Sequence, residues 1–310
     1  MKKVIIYEIK GLYRDHFRVT GYEFGEGKEA VCIVGSMRGN EVQQLYCCAR
    51  IVRKLKQMEE AGKLTAGYKI LVIPCVNPYS VNTQKRFWPV DNTDINRMFP
   101  GYRLGETTQR IADGAFQVIS KYRFGIQFTS FYMPGEFMPH VRMMSTGFED
   151  QELAKQFGMP YVVLRQVRPY DTTTLNYNWQ IWETQAFSMY TTVTTRVDKK
   201  SAGEAIRGIL TFLNKQGILE YHGHDGYHSC VVRDVDMVSV RTGKAGLFDP
   251  SVEVGAEVEQ GQILARIIDA YEGEVMEELR APVDGIVFFM HGEPLTYSNT
   301  AVFKLVVREE

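Results

Sequence analysis

Over most of the chain, short apolar runs alternate with segments whose apolar residues return every three or four positions. Residues 31–35 (VCIVG) form a continuous apolar run, the pattern of a strand buried on both faces. In the segment that follows, Val42, Leu45, Tyr46, Ala49, Val52 and Leu55 share one helical face, and Gly62 is a natural stop. Residues 69–74 (KILVIP) predict the next strand. Residues 107–122 predict a second amphipathic helix, with Thr107 or Thr108 as its N-cap. Further strands are expected at 124–131 and 161–166, and the β-branched run 190–197 (YTTVTTRV) reads as another. Residues 203–217 give a third helix ending at Gly217. This alternation predicts an α/β fold, a mostly parallel sheet with helices on both faces.

After residue 221 the pattern changes. YHGHDGYHS is a polar link, and beyond it no helical period returns. Short strand patterns with turn residues between them (VVRDVDMVSV, GAEVEQGQILARII, APVDGIVFFM, AVFKLVV) predict a small all-β barrel or sandwich. The expected domains are therefore 1–221 and 222–310.

Composition narrows the function classes. Hydrophobic residues make up 45% and charged residues 24%, a globular mix, and the net charge of -1 supplies no field for nucleic acid or an anionic membrane. No apolar stretch approaches the ~20 residues of a membrane span. The run at residues 4–7 is too short for a signal peptide, so the expected location is the cytoplasm. Five cysteines, an odd number without C-x-x-C spacing, argue against a disulfide framework or zinc ribbon; several sit inside apolar runs and read as buried thiols, which suits a reducing compartment.

In the tail, GAEVEQGQILARI followed by APVDGIV resembles the lipoyl/biotinyl-type barrel-sandwich hybrid, with Gly255 and Gly261 at its tight turns. A carrier domain of that kind needs an acceptor lysine on the intervening hairpin, and DAYEGEVMEELR has none. A packing or oligomerisation module is the reading that remains.

The residues with chemical content follow the predicted strands, where open α/β sheets bind ligands. GSMRGNE comes after 31–35, and NPYSVNTQKRFWPVDNTDINRMFPG after 69–74. Their order and spacing, above all DNTDINRMFPG, resemble the succinylglutamate desuccinylase/aspartoacylase family over residues 30–310, and imply its zinc-carboxypeptidase-like fold with a β tail. The resemblance implies a zinc ion held by a His and a Glu of an H-G-x-E turn and by a later His. A further glutamate deprotonates the zinc-bound water, which attacks the amide of an N-acyl amino acid. An Asn-Arg pair and an upstream Arg grip the substrate carboxylate.

Carried over residue by residue, the H-G-x-E turn falls on Arg38-Gly39-Asn40-Glu41. Glu41 is in place, but the first histidine is Arg38, which has no lone pair to offer a metal. The second histidine falls on Thr129, and the nearest later one is His140. The general-base position falls on Arg196, or on Thr195 if the register slips by one, and neither is a base at neutral pH. The gripping residues are present as Asn96, Arg97 and Arg86, with Asp94 to orient the pair.

Each site residue has a plainer reading too. Arg38 either pairs with Glu41 in place of the metal's charge or is a solvated arginine after a strand. Arg86, Asn96 and Arg97 either bind an anion or staple a long loop, Arg97 through Asp94. Arg142 either lines the same mouth beside His140 or is solvated. Arg196, on a buried strand, needs a partner such as Glu41, Asp198 or a ligand anion. Residues 171–187, with Tyr177, Trp179 and Trp182, are a lid or a loop pinned by its own aromatics. His222, His224 and His228 either chelate a metal or belong to a solvated linker.

Three functions remain. The favoured one is a pseudoenzyme of the family that needs no cofactor and binds a small carboxylate or phosphate through Arg38, Arg86, Asn96, Arg97, Arg142 and Arg196. The second is an active metal-dependent hydrolase of N-acyl amino acids, with zinc on His140 or on His222, His224 and His228. The third is a structural or regulatory homo-oligomer assembled through the β tail.

Overall fold

The computed structural model describes residues 1–11, 15–131 and 133–308. The chain forms two units, one of Met1–Ser130 with Pro139–Val231 and one of Phe131–Met138 with Val232–Glu310. The first contains β1 (Lys2–Ile9), β2 (Phe17–Phe24), β3 (Gly27–Ser36), α1 (Val42–Glu60), β4 (Gly67–Cys75), α2 (Pro78–Thr83), α3 (Thr107–Ile119) and β5 (Phe124–Phe128). After β6 (Gly135–Phe137), which belongs to the second unit, it continues with β7 (His140–Ser145), α4 (Gln151–Lys155), β8 (Tyr161–Gln166), α5 (Leu175–Ile181), β9 (Gln185–Tyr190) and α6 (Lys199–Lys215). β10 (Cys230–Arg233) closes the edge of a nine-stranded sheet of order β1-β2-β4-β3-β5-β9-β7-β8-β10. The centre, β4-β3-β5-β9, is parallel throughout.

Strand alternation builds a core on each face. Val31 and Ile33 of β3 point to one side, among Ile51 and Leu55 of α1 and Ile209 and Phe212 of α6. Cys32 and Val34 point to the other, among Ile111 and Phe116 of α3 and Trp179 of α5. The resulting α/β sheet with helices on both faces is the expected one.

Four local readings change. The buried face of α1 is Gln43, Gln44, Cys47, Cys48, Ile51, Leu55 and Met58, turned from the face expected, because the two glutamines are drawn inward by backbone partners. The N-cap of α3 is Glu106, whose amide bonds the side chain of Gln109 at 3.0 Å. The run 190–197 is not a strand: β9 ends at Tyr190, and the Thr194 carbonyl accepts from the Gln43 amide instead of a ladder partner. Residues 171–187 are not an open loop but contain α5, whose Trp179 is fully buried with its Nε1 on the Ile119 carbonyl, while Trp182 is exposed.

The boundary expected after residue 221 falls instead between Val231 and Val232. The linker bonds along the first unit, with Tyr227 N on the Gly158 carbonyl, Ser229 Oγ on that of Met159 and Cys230 N on that of Pro160. The second unit continues with β11 (Val238–Arg241), β12 (Gly246–Pro250), β13 (Glu257–Val258), β14 (Ile263–Ile268), β15 (Val275–Arg280), β16 (Gly285–His291), β17 (Leu295–Thr296) and β18 (Ala301–Val307). One sheet runs β11-β18-β16-β13 with β6 paired to β16, and the other runs β15-β14-β12-β17. Val240, Leu264, Ile267, Val287, Phe303 and Leu305 are buried in its core.

Candidate functional site

β3, β4 and β5 end side by side, and the turns that leave them carry the matched residues. Beyond Ser36 the chain folds tightly: Ser36 Oγ donates to the Arg38 carbonyl at 2.6 Å, and that carbonyl also accepts from the Glu41 amide at 3.1 Å. Gly39 is needed here. A Cβ would stand 2.1 Å from the Ser80 carbonyl oxygen and 2.3 Å from that of Lys85. The turn is thus pressed on the backbone that follows β4.

Arg38 and Glu41 are both buried, 5% and 2% exposed. Glu41 Oε2 accepts from the amides of Met37 at 2.7 Å and Arg38 at 3.1 Å. Its Oε1 accepts from Arg38 Nη1 at 2.9 Å and from Ser130 Oγ at 2.5 Å. The other edge of the guanidinium grips Asp94, with Nη2 at 2.8 Å and Nε at 3.1 Å from Oδ2. Burial alone would lower the pKa of Arg38, but the Glu41 and Asp94 carboxylates outweigh it and hold the group above its ordinary value. Asp94 Oδ1 accepts from the Asn96 amide at 3.1 Å, and Asn96 Oδ1 accepts from Gln127 Nε2 at 3.0 Å. Arg38, Glu41, Asp94, Asn96, Gln127 and Ser130 form one connected polar network.

Arg97 leaves this network. It lies over the Tyr170 ring at 5.7 Å, donates to the Tyr170 carbonyl, and sits 3.7 Å from Asp171 rather than pairing with Asp94. Arg86 is half-buried over Phe87, and no hydrogen bond or ion pair engages its guanidinium among the described residues. Burial and the nearby Arg38 charge lower its pKa against the pull of Asp94 and Glu41. It is a cation within reach of the network and not neutralised by it.

The remaining candidates lie elsewhere. Arg142, on β7, is buried over the Tyr190 ring, with Nη1 3.3 Å from the Tyr190 hydroxyl and Nη2 3.4 Å from His140 Nε2. His140 stacks on the same ring at 4.5 Å. Arg196 is exposed in the loop after β9, which corrects the expectation of a buried strand position. That loop is tied to α1 by Gln43, whose side chain bonds both the amide and the carbonyl of Asp198 at 2.9 Å. His222, His224 and His228 are exposed in the linker.

Zinc does not fit the matched positions. The Arg38 guanidinium stands on Glu41, both Glu41 oxygens are already engaged, and the Thr129 hydroxyl donates back to the Gln127 carbonyl at 3.2 Å. His140 lies two strands from β5, about 10 Å at ordinary strand spacing. Among the described residues no group of three or more His, Cys, Asp or Glu side chains is placed to hold a metal, and the three linker histidines are no exception.

Sequence reading missed Ser130, Gln127, Gln44 and Asp171 as partners in and around the site. Gln127 had a signal, a lone amide in the apolar run FGIQF. Ser130 had none, because it lies beyond the strand end and reaches Glu41 only through the fold.

A mostly parallel sheet flanked by helices, with its polar network at the strand ends and a two-sheet β unit in the tail, is the zinc-carboxypeptidase-like class of fold. A profile of the succinylglutamate desuccinylase/aspartoacylase catalytic domain matches residues 28–214, and the chain belongs to that family. It is 24% identical over 295 residues to N-alpha-acetyl-L-2,4-diaminobutyric acid deacetylase of Halomonas elongata, covering 87% of this chain and 79% of that one. The succinylglutamate desuccinylase/aspartoacylase structure from Rhodobacter sphaeroides superposes with a TM-score of 0.78 at 22% identity, over 95% of this chain and 90% of that one. The product-bound ectoine utilization protein EutE (DoeB) from Ruegeria pomeroyi gives 0.79 at 21%, over 94% and 90%. No helix among the described residues is long and apolar enough to cross a membrane.

Proposed function

We propose that this member of a deacylase family has given up zinc-dependent hydrolysis and binds a small carboxylate or phosphate at the ends of β3, β4 and β5. The observation that carries the reading is the buried bond between Arg38 and Glu41, which places a permanent cation against the one acidic residue retained from the family's metal site. A metal ion would meet that charge, and a Glu41 carboxylate with four donors already on it. Loss of the metal removes the means of activating water, and Arg196 at the general-base position accepts no proton at neutral pH.

The binding half of the reading rests on Arg86 and Arg97. A half-buried arginine repelled by Arg38 and lacking a carboxylate of its own is stabilised by an incoming anion, and guanidinium matches carboxylate and phosphate in two-point contacts. The acidic ligand is a cytoplasmic metabolite in this reading, in keeping with free thiols at Cys32, Cys47 and Cys48.

The decisive measurement is the zinc content of untagged protein by inductively coupled plasma mass spectrometry. The expected result is no stoichiometric zinc, even after incubation with excess metal and dialysis. Stoichiometric zinc retained with Arg38 in place would overturn the proposal and return the chain to the working hydrolases.

A further inference from the structure

A cavity of about 540 Å³ opens between α3 and β1, lined by residues that take no part in the Arg38 network. Two glycines set how closely α3 is packed beside it. Gly114, inside α3, faces Tyr7 of β1, and a Cβ there would stand 2.1 Å from the Tyr7 ring. Gly101 has φ +101°, and a Cβ there would stand 2.1 Å from the Asp113 backbone nitrogen. The first approach lays the Tyr7 ring against the helix. The second brings the loop that carries Arg103 against the same helix. Tyr7, Asp113 and Gly114 all line the cavity.

Its charge is one-sided. Arg103, Arg110 and Lys121 line it together with a single carboxylate, Asp113, which is held by Gln117 Nε2 at 2.9 Å. Among the described residues no ion pair engages the guanidinium of Arg103 or Arg110, while the Lys121 charge acts weakly on Glu29, which pairs with Lys69. The lining is thus positive in a chain whose net charge is -1. Ile6, Tyr7 and Val118 supply an apolar wall beside these cations. Small-molecule sites run from about 300 to 1,000 Å³ and combine such walls with a few charged groups.

We propose that this cavity binds a phosphate-bearing small molecule of nucleotide size. Arg103 and Arg110 take the phosphate, since guanidinium meets its oxygens in two-point contacts, and Lys121 adds a point charge. The less polar part of the ligand lies along Ile6, Tyr7 and Val118. The position also bears on the first site. α3 holds the loop of Asp94 and Arg97 through the Thr93–Thr108 hydroxyl pair at 2.9 Å and the Phe99–Phe116 ring contact at 6.2 Å. A ligand here therefore binds the helix that supports that loop.

The test is isothermal titration of the full chain with AMP and with inorganic phosphate at low salt, on wild type, R103A/R110A and R97A. The expected result is saturable AMP binding that weakens about tenfold or more in R103A/R110A, the size of one charge-assisted contact, and changes less than about twofold in R97A. The two arginines are exposed, and a thermal melt of the double variant checks that it folds. Phosphate binding as tightly as AMP, with the same loss in R103A/R110A, would uphold the phosphate contact and overturn the nucleotide-sized ligand. Absence of saturable binding to wild type overturns the proposal. So does binding that R103A/R110A keeps and R97A loses, which would assign the anion to the Arg86 and Arg97 site of the proposed function instead.

Discussion

Arg38 and Glu41, three residues apart in the turn after β3, meet through a 2.9 Å bond between Nη1 and Oε1 with both side chains sealed from solvent. The pair is not isolated. Asp94 closes the other edge of the guanidinium, so that one buried cation serves two carboxylates. Removing the cation leaves both acids in a low-dielectric site, where an uncompensated charge costs far more than its partner contributes when present. Arg38→Ala is expected to lower the unfolding free energy by about 3–5 kcal/mol at neutral pH. Urea denaturation checks it, and a loss below about 1 kcal/mol, the scale of exposed pairs, would show that water reaches the pair freely.

Gly39 gives a second expectation. The atoms a Cβ would meet are backbone carbonyls of Ser80 and Lys85, not the far end of a flexible side chain. Gly39→Ala therefore pushes the turn off the β4 loop at a cost of about 1–3 kcal/mol, seen as a lower melting temperature. A variant as stable as wild type would mean that the close approach is not present in solution.

Arg86 should behave in the opposite way. It is half-buried beside another arginine, and its removal relieves repulsion as well as losing packing. Arg86→Ala is expected to change the stability of the ligand-free protein by no more than about 0.5 kcal/mol. The same variant should lose most of the thermal stabilisation that succinate or inorganic phosphate gives wild type. Differential scanning fluorimetry with each anion reads both effects, and an undiminished anion response would remove Arg86 from the site.

Asp198 links the base of α6 to pH. Burial disfavours its charge, but bonds from the Ser201 hydroxyl and from the amides of Ser201 and Lys200 outweigh that and hold the carboxyl below its ordinary range. A lowered folded-state pKa contributes stability that is present above the unfolded value of ~3.9 and is lost as pH falls through the folded value. Asp198→Ala should therefore cost about 1 kcal/mol near neutral pH, with the gap to wild type narrowing in acid as pH falls below the unfolded value of ~3.9. Denaturation curves at both pH values check this, and a gap that persists in acid would assign the effect to packing rather than to the ionised cap.

The class of fold was legible because it rests on local periodicity. Apolar runs at 31–35, 69–74 and 161–166 and amphipathic helices at 107–122 and 203–217 are patterns that neighbouring residues impose on one another. The run 190–197 misled for the same reason. β-branched residues favour a strand, but Gln43 of α1, distant in sequence, takes the backbone groups of Thr194 and Asp198. The aromatic stretch 171–187 read as loop-like because nothing local shows that Trp179 enters a core built from α3, β3 and β4.

By itself the sequence determined the α/β order of elements and the β character of the tail, and it set Arg38 and Thr129 where the family resemblance implies metal-ligating histidines. Residue identity alone decides whether a group can coordinate a metal, since a guanidinium has no lone pair whatever surrounds it. Only the tertiary structure decided what Arg38 does instead. Its partners come from three separate places along the chain, Glu41, Asp94 and Ser130, and spacing cannot foretell which acids share a buried cation. It likewise decided that Arg97 turns to Tyr170 and Asp171, and that Arg196 and the three linker histidines are exposed. Side-chain chemistry is carried by one residue, whereas electrostatic pairing is a property of the residues that folding brings together.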